Sequence, residues 1–159
     1  MAFLPGLCRE ILGQELIIPS VATWWCGQPD ALEEAILRLD KLVIKPANPQ
    51  LRMDTVFGPD LTDARRKALI AEMRARPGNY IAQELVRISQ APIWDRQQNK
   101  TLKAGAIGVR VYACATPSGY MVMPGGLTRV ASGPDSRVLS MQRGGGSKDT
   151  WVLSSAPVS

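Results

Sequence analysis

Two glycine clusters with basic side chains beside them lie between residues 123 and 149 of the 159-residue chain. Glycine lets the backbone approach a ligand closely and turn its N–H groups outward, and Arg and Lys supply the charge that binds phosphate. The residues of this predicted anion site are Gly125, Gly126, Arg129, Arg143, Gly144, Gly145, Gly146 and Lys148. Composition alone leaves a second interpretation open, in which both clusters are hairpin turns with solvated charges.

The net charge of the chain is +5, and the basic excess lies in the same region. Residues 1–99 hold twelve basic and twelve acidic side chains, whereas residues 100–159 hold seven basic and two acidic ones. This imbalance favours an anionic partner, either a nucleotide or a nucleic acid. A nucleic-acid-binding module is disfavoured, because the longest basic run, Arg65–Lys67, lies in a helical pattern and the later cations alternate with glycines.

The chain contains no histidine, and its cysteines, Cys8, Cys26 and Cys114, are far apart in sequence. These residues exclude a zinc site and histidine-based acid–base catalysis built from this chain alone. We expect reduced thiols in a cytoplasmic protein, because no basic leader is present and no apolar run approaches the ~20 residues of a membrane span. We therefore expect no membrane partner.

Hydrophobic spacing predicts three helices in the first part of the chain. The first covers residues 4–12 and ends at Gly13, the second begins at Asp30 with a capping box to Glu33, and the third is capped by Thr62. Apolar runs predict strands at residues 16–19, 41–47 and 80–86, with an irregular loop at residues 48–61.

Three features of this first part have both a structural and a functional interpretation. Lys45 ends an apolar strand beside a proline, so its amine either extends to solvent or points into a site. The polar pair Gln83–Glu84 either faces water or meets a polar ligand. Trp24 and Trp25 either fill the core or line a pocket, and the core is the more common role.

The last third of the chain has the pattern of an antiparallel meander. Residues 89–105 are polar and are predicted to form a loop, residues 107–114 alternate as a two-faced strand, and residues 116–119 form a turn. Further strands are predicted at residues 120–123, 127–131, 138–142 and 150–153, with another turn at residues 132–135. Helices followed by this meander indicate an α+β fold.

Five sequence blocks follow one another in this chain: PSVATWWCGQP, LVIKPA, YIAQE, GYMVMPGGLTRVA and SMQRGGGSKDTWVL. Together they resemble the circularly permuted ATP-grasp proteins of bacteria, the type fused to or encoded beside alpha-E domains, transglutaminase-like proteins and amine-ligase-like proteins. The resemblance runs from about residue 2 to about residue 157. It implies ATP-grasp-like lobes, in which short helices pack on mixed or antiparallel sheets. We expect one partial unit over residues 1–159, with a helix and strand part at 1–86 and the meander at 105–154.

The resemblance also implies roles for individual residues. Lys45 matches the lysine that reaches the nucleotide phosphates. The hinge that holds adenine through its backbone, with a carboxylate for the ribose, corresponds to Gln83, Glu84 and Leu85. The cations that face the transferred phosphate or the substrate carboxylate correspond to Arg110, Arg129 and Arg143, and the glycine-rich loop with Lys148 belongs to the nucleotide site.

The reaction implied by the resemblance is phosphorylation of a carboxylate by ATP, followed by attack of an amine on the acyl phosphate to give an amide. Such a reaction uses Mg²⁺, whose usual ligands are carboxylates. After residue 96 the acidic residues are Asp135 and Asp149, so we expect most Mg²⁺ ligands to lie outside this chain.

We therefore interpret the chain as a portion of a larger protein that does not catalyse alone. The resemblance implies the remainder of that protein as a partner, with alpha-E and transglutaminase-like proteins as further candidates. An apolar surface left uncovered by the absent part would favour self-association. The alternative interpretation is a catalytically degenerate scaffold in a peptide-modification system.

Overall fold

The computed structural model describes residues 2–51, 53–94, 101–131 and 145–153 of the chain. The chain divides into two units, Met1–Val86 and Arg87–Ser159. Helices and antiparallel strands make the first unit and antiparallel strands make the second, so the predicted α+β class is confirmed.

Three helices form in the first unit: α1 (Leu4–Leu12), α2 (Pro29–Leu37) and α3 (Asp63–Ala75). The end of α1 is as predicted, because Gly13 adopts a left-handed φ of 63° that glycine takes without strain. The start of α3 is also as predicted: the Thr62 hydroxyl accepts a hydrogen bond from the Arg65 N–H at 3.3 Å.

The capping box predicted at Asp30 and Glu33 is wrong. Helix α2 begins one residue earlier, at Pro29, and Gln28 precedes it without a side-chain capping bond. Proline suits this position because the first turn of a helix leaves its N–H groups unpaired in any case. The Glu33 carboxylate accepts instead from the Arg74 guanidinium of α3 at 3.1 Å.

The sheet of the first unit contains β1 (Thr23–Trp25), β2 (Leu42–Pro46), β3 (Val56–Phe57) and β4 (Tyr80–Glu84). Their order is β1-β4-β2-β3, and every neighbouring pair is antiparallel. Short 3₁₀ turns at Leu39–Lys41, Gly58–Asp60 and Pro77–Asn79 flank these strands. The strand predicted at residues 16–19 does not form, and Ile17 there is 97% exposed.

Alternation along the strands gives this sheet two different faces. One face carries Leu42, Ile44 and Ala82, which are fully buried against residues such as Leu69 and Met73 of α3. The opposite face carries, in register, Thr23 and Trp25 of β1, Val43 and Lys45 of β2, and Ile81 and Gln83 of β4. Apart from the buried Val43, the side chains of this second face are half-buried.

The second unit contains β5 (Gln90–Trp94), β6 (Leu102–Arg110), β7 (Ala113–Thr116), β8 (Gly119–Val122), β9 (Gly126–Val130) and β10 (Gly146–Thr150). Four of them form an antiparallel sheet in the order β10-β9-β6-β5, and β7 pairs with β8 as a separate hairpin. The predicted turn at residues 116–119 is confirmed: Thr116 pairs with Gly119, whose φ is 123°.

Other boundaries in this unit differ from the predictions. Residues 89–105 are not all loop, since they contain β5 and the start of β6; Pro92 made β5 hard to recognise, although proline is tolerated on an edge strand. The strand predicted at residues 107–114 is two strands, separated between Arg110 and Ala113. The last described strand lies at Gly146–Thr150 and not at residues 150–153. The predicted turn at 132–135 and strand at 138–142 lie outside the described residues.

None of the helices among the described residues is both long enough and apolar enough to span a membrane.

Candidate functional site

A chain of hydrogen bonds crosses the half-buried face of the first sheet and ends at the amine of Lys45. The Lys45 Nζ donates to the side-chain oxygen of Gln83 at 2.5 Å, and the Gln83 amide nitrogen donates to the Thr23 hydroxyl at 3.2 Å. The Thr23 hydroxyl in turn donates to the Val21 carbonyl at 2.7 Å. Three strands therefore cooperate to hold one ammonium group on this face.

The environment of Lys45 suits the binding of an anion. Among the described residues, no carboxylate lies within salt-bridge distance of its amine. Burial lowers the pKa of Lys45, because a partly desolvated ammonium is less stable than a hydrated one. A phosphate oxygen would supply the missing negative charge, and the remaining N–H donors of the amine are directed away from Gln83.

Glu84 lies on the opposite face from Lys45, although the two were predicted to serve one site. Its carboxylate is 3.9 Å from the Arg38 guanidinium, which also donates to Glu34 at 3.1 Å. The same guanidinium lies 5.3 Å from the centre of the Trp24 ring, within the range of a cation–π contact. Of the predicted hinge side chains, the structure brings Gln83 to Lys45 and holds Glu84 elsewhere.

The backbone N–H groups of the predicted hinge are already paired. The Glu84 N–H donates to the Ala22 carbonyl at 2.9 Å, and the Leu85 N–H donates to the Lys41 carbonyl at 3.2 Å. These bonds connect the end of β4 to the segments that precede β1 and β2. A base that uses these N–H groups would have to displace both carbonyls.

The two adjacent tryptophans have separate structural roles. Trp24 packs against the helix-covered core and beneath Arg38. Trp25 projects from the other face, where its indole N–H donates to the Gly78 carbonyl at 3.0 Å and its ring meets Phe3 edge to face at 6.2 Å. Its ring also lies over Gly27, where an added Cβ would come within 2.2 Å of it.

In the second unit, two of the predicted anion-binding arginines share one face of the sheet. Arg129 lies opposite Gly108 of β6 and Ser147 of β10, and Arg110 lies opposite Leu127, two residues before Arg129. The Arg129 Nε is buried and has no hydrogen-bond partner in the part of the chain that the structure describes. A buried donor without a partner is costly, so an anionic ligand that bound this guanidinium would relieve that cost. Arg110 is exposed.

The first glycine cluster lies at a cavity of about 560 Å³ in this unit. Gly125 and Gly126 line it on one strand, and Lys148 and Asp149 line it on the neighbouring strand. An added Cβ on Gly126 would lie 2.9 Å from the Arg110 carbonyl, so the close strand approach requires glycine. The Lys148 amine donates to the Pro92 carbonyl at 2.6 Å and shares the cavity with a carboxylate, so the cation lacks a clear path to a phosphate.

The remaining members of the predicted glycine loop are placed as follows. Gly145 precedes β10 and Gly146 is its first residue, opposite Val130. Arg143 and Gly144 lie outside the described residues. Their roles therefore stay predictions.

A family model describing circularly permuted ATP-grasp type 2 proteins matches residues 1–131. The chain belongs to this family. It is 34% identical over 151 residues to an uncharacterized protein of Mycobacterium leprae, covering 95% of this chain and 26% of that protein. It is also 34% identical over 153 residues to a putative glutamate–cysteine ligase of Frankia alni, covering 95% of this chain and 17% of that protein. An uncharacterized protein of Synechocystis is 32% identical over 152 residues, covering 96% of this chain and 31% of that protein.

These relatives are much longer than the ATP-grasp chain described here, which spans between 17% and 31% of their length. The family implies Mg²⁺ alongside ATP, but within residues 2–51, 53–94, 101–131 and 145–153 no three acidic, cysteine or histidine side chains come together to hold a metal. The described residues thus do not fit a magnesium centre.

Sequence reasoning missed two residues that contact the predicted site residues. Thr23 holds Gln83, and Arg38 holds Glu84. Arg38 had a detectable signal, because Glu34 precedes it by four residues on a predicted helix. Thr23 had none, because its contact depends on the pairing of β1 with β4, about 60 residues later in the chain.

Proposed function

We propose that this ATP-grasp chain is the nucleotide-binding portion of an ATP-dependent carboxylate–amine ligase. Membership of the circularly permuted ATP-grasp type 2 family supports this proposal. So does the similarity to a Frankia alni protein that is itself named a putative glutamate–cysteine ligase. Because the chain spans a minor part of its relatives, we assign the complete reaction to a larger protein and not to these 159 residues.

One observation carries the proposal: the Lys45 ammonium is held on the half-buried face of the sheet by a neutral amide, without a carboxylate among the described residues to neutralise it. A lysine that only stabilised the fold would gain more from a carboxylate partner or from full exposure. The observed arrangement keeps a positive charge oriented and available, which is what a nucleotide phosphate requires.

The proposed reaction transfers the terminal phosphoryl group of ATP to a substrate carboxylate. A carboxylate oxygen forms a bond to the terminal phosphorus while the bond to the bridging oxygen breaks, and ADP leaves with that electron pair. An amine then attacks the acyl carbon, phosphate leaves, and the nitrogen loses a proton to give the amide. Catalysis of this kind depends on positioning and charge neutralisation, which arginines and lysines provide without histidine.

Within this scheme, Lys45 binds a phosphate oxygen of ATP and Gln83 keeps its amine in place. Arg129 supplies its guanidinium, whose Nε has no partner among the described residues, to an anionic group of the acid or of the transferred phosphate. Arg110 and Arg143 remain further candidates for the same task. No step is assigned to Mg²⁺, since the described residues hold no group of ligands for it.

A second candidate function is a catalytically degenerate scaffold, and the position of Glu84 favours it. The carboxylate expected to bind the ribose lies on the opposite face from Lys45, beside Arg38, and the neighbouring N–H groups are paired with protein carbonyls. An intact nucleotide site would be expected to keep these groups open.

Calorimetric titration with ATP, with and without Mg²⁺, distinguishes the two functions. Lys45→Ala should weaken ATP binding by about 10- to 100-fold, the effect expected when a hydrogen bond between an ammonium and a phosphate is lost. Lys41→Ala is the matched control, because this exposed lysine lies four residues earlier and should leave affinity unchanged. Equal affinities of the wild type and Lys45→Ala would refute the placement of the phosphate. No ATP binding by the folded chain would favour the scaffold.

A further inference from the structure

We propose that Thr23 is a positioning residue, which fixes the direction of the Lys45 ammonium by locking the orientation of the Gln83 amide. The inference rests on the proposed function in one respect, since the purpose of the arrangement is to aim the amine at a nucleotide phosphate. The arrangement itself depends on contacts within the first unit alone.

The orientation follows from the donors and acceptors available. The Thr23 hydroxyl has one hydrogen, which it donates to the Val21 carbonyl at 2.7 Å. Its lone pairs therefore face Gln83 and can only accept, so the NH₂ end of the amide must point toward Thr23. The opposite end of the amide, its oxygen, is then left facing the Lys45 amine, as observed.

The reverse orientation is unfavourable at both ends. A rotated amide would present its NH₂ group to an ammonium, placing donor against donor, and its oxygen to the lone pairs of the hydroxyl. Each loss costs on the order of a hydrogen bond in a partly buried site. Thr23 thus determines which atom of Gln83 meets Lys45 although it does not touch Lys45 itself.

Lys45 is the titratable side chain that the four described strands place on this face. Its neighbours in register are Thr23, Trp25, Val43, Ile81 and Gln83, with Phe57 beside Val43 on β3. None of these neighbours carries a charge. Among the described residues, the Gln83 oxygen is the side-chain group that accepts a hydrogen bond from the protonated amine, so its removal should destabilise the charged form.

The test measures the Lys45 amine directly, without any nucleotide. The chain has six lysines, so side-chain NMR of lysine-labelled protein can follow each one, and loss of one signal in Lys45→Arg identifies the resonance. Thr23→Val keeps the branched shape and removes the hydroxyl, whereas Thr23→Ser keeps the hydroxyl. Gln83→Leu removes the amide and shows the largest change in the pKa of Lys45 that loss of this contact can cause.

We expect Thr23→Ser to leave the pKa of Lys45 at its wild-type value and Thr23→Val to lower it in the direction of Gln83→Leu. The inference is overturned if Thr23→Val matches the wild type while Gln83→Leu does not, or if Gln83→Leu itself has no effect. It is also overturned if Thr23→Ser lowers the pKa as far as Thr23→Val does, because the hydroxyl would then be irrelevant.

ATP titration of the same samples separates this inference from the proposed function. Thr23→Val should weaken ATP binding by about 2- to 10-fold, less than Lys45→Ala, because one neutral hydrogen bond is lost and the charge stays. If the pKa pattern holds and ATP does not bind, the proposed function fails and the positioning of the amine stands. If ATP binding depends on Lys45 and Thr23→Val leaves the pKa unchanged, the positioning fails and the function stands.

Discussion

Gly58 is a buried position at which the addition of a single methyl group should strongly destabilise the unit that carries Lys45. An added Cβ would lie 1.6 Å from the Leu39 carbonyl oxygen and 2.9 Å from that of Leu42. Leu39 belongs to the 3₁₀ turn that precedes β2, and Leu42 is the first residue of β2. Gly58→Ala therefore forces a shift at the start of the strand that ends in the lysine.

The size of the effect follows from the distances. Ordinary contacts begin near 3.4 Å, so the Leu39 carbonyl would have to move by about 1.8 Å. The atoms involved are backbone, which cannot rotate away as a side chain can, and the Leu39 side chain is completely buried. Overpacking usually costs about 1–3 kcal/mol, and displacement of a buried leucine adds to this. We expect Gly58→Ala to destabilise the unit by about 3 kcal/mol or more.

Urea unfolding monitored by tryptophan fluorescence measures this effect once the signal is restricted to the first unit. Trp94 and Trp151 are exposed, so replacing both by phenylalanine leaves Trp24 and Trp25 as the reporters. With a urea m-value of about 1 kcal/mol/M, the midpoint should fall by about 3 M, or the unit should be unfolded without urea.

Gly6→Ala is the matched control, since a Cβ at Gly6 in α1 meets no atom within 4 Å. Alanine favours a helix over glycine by roughly 0.5–1 kcal/mol, so this variant should be as stable as the wild type or slightly more stable. A Gly58→Ala midpoint within ~0.5 M of the wild-type value would refute the reasoning, because the described approach of the two 3₁₀ turns would then be absent in solution.

Two further predictions concern stability. Between the lowered pKa of Lys45 and 10.5, the unfolded chain binds more protons at this amine than the folded chain, so the contribution of Lys45 to stability rises with pH through that window. Urea unfolding at several pH values in this window should show the rise for the wild type relative to Lys45→Met. Free energies of unfolding that change in parallel with pH in the two proteins would contradict the prediction. Cys26 and Tyr80, whose pKa values are raised by burial, oppose the rise equally in both proteins. Thr62→Ala should cost about 1 kcal/mol in the same assay by removing the cap of α3, whereas Thr62→Ser should not, and an equal loss in both would exclude the cap as the cause.

The helices were the most predictable part of the fold, because their signals are local. Gly13 after α1 and Thr62 before α3 act within a few residues, and the structure shows both in those roles. The strands were harder, since pairing joins distant segments. Residues 16–19 are as apolar as a strand but have no partner strand among the described residues, whereas the proline-containing β5 forms because β6 supplies one.

The same distinction applies to the candidate site. Lys45 and Gln83 were found as single residues with unusual surroundings, a cation ending an apolar strand and a polar group inside another. That they meet could not be read from their spacing, because the contact depends on the antiparallel register of β2 with β4. Thr23 was missed for the same reason, since β1 is a three-residue strand whose identity depends on pairing with β4.

Gln83 and Glu84 lie on opposite faces of the sheet because they are adjacent residues of one strand, and this placement affects how a nucleotide could bind. Adjacent residues of a strand point to opposite faces, so these two side chains cannot both reach Lys45 while β4 stays regular. Gln83 serves the lysine face, and Glu84, the last residue of β4, pairs with Arg38 beyond the other face. For Glu84 to reach a ribose beside Lys45, the strand would have to end earlier and the Arg38 contact would have to break. Exposed ion pairs contribute at most about 1 kcal/mol, so a bound nucleotide could offset the loss of the Arg38–Glu84 pair. The Arg38–Glu84 contact is therefore compatible with a site that forms only when ATP is present.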